Sequence, residues 1–155
     1  MPVTIRMKVT GLENVEKAVN NLAEKIASPD THLMTRLGEA AIEDIDRRFM
    51  TRGYNTWPAL KPATIARKHS DFVLIETGAM YASTKITALT RGSVTVGVPS
   101  GGKNHSPDVP GYHQHGTRHT PQRKIIEVTP RLMTALTDAV ELWVQDMIKA
   151  FKKTV

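Results

Sequence analysis

An α+β fold, a small and mostly antiparallel β-sheet packed against two or three α-helices, is the class that this sequence predicts. Three observations lead there. Apolar residues recur at helical spacing over about 12–27, 31–50 and 130–151. Shorter runs at 3–9, 83–90, 93–98 and 124–128 read as strands. The chain has 155 residues, 40% of them hydrophobic, which suits one domain with a single core.

The elements are justified in chain order. Val3, Ile5, Met7 and Val9 alternate with Thr4, Arg6 and Lys8, a half-buried strand that Gly11 ends. Leu12, Val15, Val19, Leu22 and Ile26 then line one face of a surface helix. Ser28-Pro29-Asp30 stops it and starts the next, whose stripe is Leu33, Leu37, Ala41, Ile45 and Phe49. Glu43, Asp44 and Asp46 spread around that helix as a solvated face. Gly53, Pro58, Pro62 and Gly78 punctuate irregular structure over 51–82, with one helical turn near 62–68 that Pro62 can open.

Beyond it, Arg91-Gly92 turns a hairpin between 83–90 and 93–98. Pro99 to Gly111 is rich in Gly and Pro and is predicted to be a mobile loop. Ile125, Ile126 and Val128 suggest a further short strand. Thr129 as N-cap and Pro130 at the first position start the last helix. Its stripe, Leu132, Leu136, Val140, Trp143, Met147 and Phe151, is widened by Met133, Val144 and Ile148. This predicts the most buried element, or else a helix that also meets a second copy.

Composition excludes several classes. No apolar run approaches the roughly 18 residues of a membrane span, and the start lacks a secretory apolar region, so no membrane partner and a cytoplasmic site of synthesis are expected. Cysteine is absent, which removes disulfides and thiolate chemistry. The net charge is +6, unevenly placed: 13 basic and 4 acidic residues over 47–131, but 5 basic and 8 acidic over 1–46. A basic block of this kind suits an acidic protein surface or nucleic acid.

Candidate chemistry does not assemble. Gly97 to Asn104 has the glycine and lysine spacing of a phosphate-binding loop, but Asn104 replaces the metal-binding hydroxyl and Pro107 and Pro110 oppose a following helix. His105, His113, His115 and His119 could converge on zinc if His113 and His115 shared a strand face; no carboxylate lies nearer than Asp108, and Arg118 and Arg123 would repel a cation. No catalytic residue, cofactor or metal site is therefore expected.

The informative stretch is Trp57-Pro58-Ala59-Leu60-Lys61-Pro62-Ala63-Thr64, then Leu74-Ile75-Glu76-Thr77-Gly78, then Tyr112-His113-Gln114-His115-Gly116-Thr117. With Phe49 before it, this pattern over about 45–128 resembles the tailed-phage virion morphogenesis family, the tail completion proteins of the Mu-like type. Phe49, Trp57, Leu60, Thr64, Thr77 and Gly78 match its structural motif, with Thr77-Gly78 opening the first hairpin strand. His113, Gln114 and Gly116 match its His-Gln loop, and Pro121 and Arg123 match the segment beyond that loop. Lys124-Ile125 replaces the family's Pro-Phe pair, and the Gly101–Pro110 link is longer than usual.

The resemblance implies a non-enzymatic assembly protein, made in the host cytoplasm and built into the tail or neck of the particle. It would act as a homo-oligomeric ring that meets tail tube or head–tail connector proteins. His113, Gln114, Gly116, Pro121 and Arg123 are its candidate interface, and a substitution at Arg123 is expected to spare the fold. A small basic nucleic-acid-binding protein is the alternative.

Overall fold

The computed structural model describes residues 12–28, 30–99 and 108–153. Along them run α1 (Leu12–Ala27), α2 (Thr31–Met50), α3 (Pro62–Lys68), α4 (Ala79–Ala82), β1 (Lys85–Leu89), β2 (Val94–Gly97), α5 (Val109–His115) and α6 (Pro130–Lys152). The class is α+β, but with six helices among the described residues rather than two or three, and a sheet of two antiparallel strands rather than four. The strand expected over 3–9 lies outside the described residues.

The long helices start where short polar side chains can cap them. Asp30 accepts a hydrogen bond from the Leu33 N–H at 2.9 Å, and Thr129 accepts one from Leu132 at 3.2 Å, ahead of Pro130. α6 packs along α2, and α1 against α6. Leu33 and Met34 of α2 meet Trp143 there, with Leu37, Val144 and Met147 around them. The expectation that α6 is the most buried element fails. α2 is far more buried, whereas only Leu132 and Trp143 of α6 are fully covered. The α6 stripe is wider than the surface laid against it, which leaves Met133 and Ile148 51% and 39% exposed.

β1 and β2 pair from Lys85↔Gly97 to Leu89↔Val94, with an irregularity between Ile86 and Ala88. The Thr90 N–H donates to the Ser93 carbonyl at 2.8 Å, closing the hairpin around Arg91-Gly92. α2 covers this hairpin at Gly38, where an added Cβ would stand 2.7 Å from Ile86 Cδ1 and 2.9 Å from Val94 Cγ2. A second core lies at the other end of α2, where Ile45 and Phe49 gather Trp57, Val73, Met80 and Ile125. Phe49 meets Trp57 and Tyr81 edge to face, with centroids 5.8 and 5.5 Å away.

Three local expectations are corrected. Residues 124–128 form no strand, because side chains rather than a neighbouring strand take their backbone groups: Gln114 Oε1 accepts from the N–H groups of Ile125 and Ile126 at 2.8 and 3.0 Å. Thr77-Gly78 opens the short helix α4, with Gly78 at φ +78° as its N-cap, and the strand starts only at Lys85. The segment expected to be loop through Gly111 and the His-Gln stretch is helical as α5, with Pro110 in its first turn and Gly116 as its C-cap. The rest of the predicted mobile loop, 100–107, lies outside the described residues. No helix among the described residues is long and apolar enough to cross a membrane.

Candidate functional site

The site begins at the end of α2. Arg52, Gly53, Tyr54 and Asn55 all take positive φ, between 54° and 66°, a run of left-handed residues that reverses the chain. A Cβ on Gly53 would run into the Trp57 indole, so the close approach needs glycine. The reversal tucks Trp57 under α2, 7% exposed, and its indole N–H donates to the Lys124 carbonyl at 3.1 Å. The next two carbonyls are held from the far side: Arg123 donates to Pro58 O at 3.0 and 3.1 Å and reaches Ala59 O at 3.5 Å.

Between these anchors opens a cleft of about 440 Å³. Leu60 and Thr64 line one side, Thr77, Gly78 and Met80 a second, and His113, Pro121 and Arg123 a third. Seven of the eleven motif residues, well separated in sequence, thus converge on one cavity. Phe49 and Trp57 lie in the core behind it, and Gln114 and Gly116 hold its α5 wall.

The cleft is basic. Lys61, Arg67, Lys68 and His119 join His113 and Arg123 around it, against the single carboxylate of Glu76. Arg67 pairs with Glu76 at 2.9 Å, and Lys68 Nζ donates to the Phe72 carbonyl at 2.7 Å. Lys61 is exposed and has no ion pair among the described residues. Burial, then Arg123 and Lys68, push the His113 pKa below its ordinary value, and its buried Nδ1 has no partner among the described residues. Lys68 is lowered too, by burial first. The cleft therefore favours an anionic group on two grounds, direct attraction and relief of crowded like charge.

The expected interface residues divide. Arg123 is buried and spends its guanidinium on the 58–59 backbone, so it serves the fold rather than a free surface. Gln114 is a clip: besides the two bonds to its Oε1, its Nε2 donates to Ile126 O at 2.6 Å. Gly116, at φ +76°, is packed so that a Cβ would meet Gln122 N at 3.1 Å. Pro121 is exposed, and His113 is half-buried in the wall.

No protein-family model, curated protein or solved structure matches this chain.

Two features escape the sequence. Asp44, read as part of a solvated face, is 6% exposed and pairs with Arg48 at 3.2 Å while accepting from the Tyr54 hydroxyl at 2.7 Å. Arg48, 1% exposed, also reaches Glu127 at 3.3 Å and the Lys124 carbonyl at 3.3 Å. The i,i+4 spacing of Asp44 and Arg48 was the available signal, but it does not distinguish a buried pair from an exposed one. The cationic rim was equally visible as Lys61, Arg67 and Lys68 bracketing Pro62. His113 and His115 do not share a face: two positions apart on α5, they stand about 160° apart around the helix axis. Among the described residues no group of three or more His, Asp or Glu is placed to hold a metal; His105 lies outside them.

Proposed function

We propose that this chain is a non-enzymatic assembly subunit of a tailed-phage particle, a tail completion or head–tail joining component that self-associates and docks onto tail tube or connector proteins. One observation carries the reading. Seven of the eleven residues that resemble the virion morphogenesis motif, far apart in sequence, line a single basic cleft. The uncovered α6 stripe supports it, since Met133, Val140 and Ile148 offer apolar area beyond what the subunit buries itself.

Nucleic acid is the other taker of a basic surface. Sequence-tolerant single-strand binding uses aromatic platforms between cations, whereas no Phe, Tyr or Trp lines the cleft. The test is deletion of the coding sequence from the phage that carries it, with particles imaged and infectivity counted. Separated heads and tails, or tails of uncontrolled length, are expected, restored by supplying the chain in trans. Normal yield of intact particles overturns the reading. Tight DNA binding whose affinity falls steeply with salt would move it to the nucleic-acid class.

A further inference from the structure

The cleft has a counterpart on the same chain. Glu39, Glu43 and Asp46 lie at i, i+4 and i+7 along α2, with Met50 next at i+11. These positions fall within about 60° of one another on a helix, on the side away from buried Ile45 and Arg48. Glu43 pairs with Arg47, while Glu39 and Asp46 have no cationic partner among the described residues. Burial and then Glu43 hold the Asp46 carboxyl above its ordinary pKa, so a nearby cation would relieve it. Met50, 53% exposed, ends the ridge with an apolar tip.

We propose that the cleft of one copy receives the acidic ridge of α2 from a second copy. Lys61, Arg67 and Lys68 at the rim meet Glu39, Glu43 and Asp46, and Met50 enters toward Leu60 and Met80. Ridge and cleft are different surfaces of one chain, so the contact is head-to-tail and repeats, which closes into a ring or extends as a filament. The same complementarity sets register and association rate. This inference rests on the assembly reading and supplies the subunit contact that it lacks.

Charge reversal tests it on the full chain, with the mass in solution as readout. Wild type is expected to associate at about 0.1 M salt and to separate toward about 1 M, where screening shortens from roughly 10 to 3 Å. E39K/E43K and K61E/R67E should each weaken association on the order of 100-fold. Mixing the two variants, or joining all four substitutions in one chain, should restore it, and that rescue also shows that both variants fold. Oligomers unchanged by either pair, or a loss that neither mixing nor joining repairs, overturn the contact. Particle yield from the deletion strain remains a separate readout: intact particles without the chain defeat the assembly reading, whereas oligomers indifferent to these charges defeat only the contact.

Discussion

At the scale of single residues, Trp57 and His113 make the sharpest predictions. Trp57→Ala removes a buried indole from beneath Phe49 and leaves the Lys124 carbonyl with Arg48 as its remaining donor, and should cost about 3–5 kcal/mol in a urea unfolding curve. His113 has a sign that can be worked out. Its folded pKa lies below its ordinary 6.5, so as pH falls the unfolded chain takes the proton first. The stability held above about pH 6.5 is then lost on acidification down to the folded value. Unfolding midpoints at about pH 7.5 and about pH 5.5 should differ less in His113→Gln than in wild type. Trp57 was legible because a large ring beside proline has few places to go except inward. Arg123 was not, because a cation among polar loop residues carries no local mark of burial; its fork is spent on Pro58 and Ala59, so replacing it disturbs the fold as well.

At the scale of elements, the sequence was readable wherever a pattern ran for several turns. α2 and α6 have their expected bounds because their stripes are long and Asp30 and Thr129 cap them. α5 and α4 were hidden, since seven and four residues are too few for a period to emerge, and Pro110-Gly111 argues locally for a loop. The 124–128 segment has strand-like composition, yet Gln114 satisfies its N–H groups before any strand can. Gly38 is the tightest joint between elements. Gly38→Ala should gain roughly 1 kcal/mol of helix propensity and lose more by overpacking Ile86 and Val94, typically 1–3 kcal/mol. A net loss of about 1 kcal/mol is expected, together with faster amide exchange in β1 and β2.

At the scale of the whole molecule, Arg48 joins parts that contiguous sequence does not connect. It holds Asp44 on its own helix, Glu127 and Lys124 from the far segment, and stacks 5.5 Å above the Tyr54 ring. Arg48→Met leaves the Asp44 carboxylate buried without its cation and should cost about 3–5 kcal/mol in the same unfolding curves. Adding Asp44→Asn should return part of that loss; no recovery would mean that Arg48 acts mainly through Glu127 and Lys124. The uneven charge along the chain was plain from composition, but the gathering of its cations around one cleft depends on α3 and α5 lining the same cavity.

The stretch from Arg123 to Glu127 behaves less like a strand than like a rope made fast to four cleats. Arg123 is made fast to Pro58, Lys124 to Trp57 and Arg48, Ile125 and Ile126 to Gln114, and Glu127 to Arg48 again. A ladder can slip two places and recover its pattern, but a rope so tied cannot shift at all. One extra alanine spliced after Lys124 should therefore cast off several ties together and cost soluble yield, while the same splice at Arg91-Gly92 passes almost unnoticed.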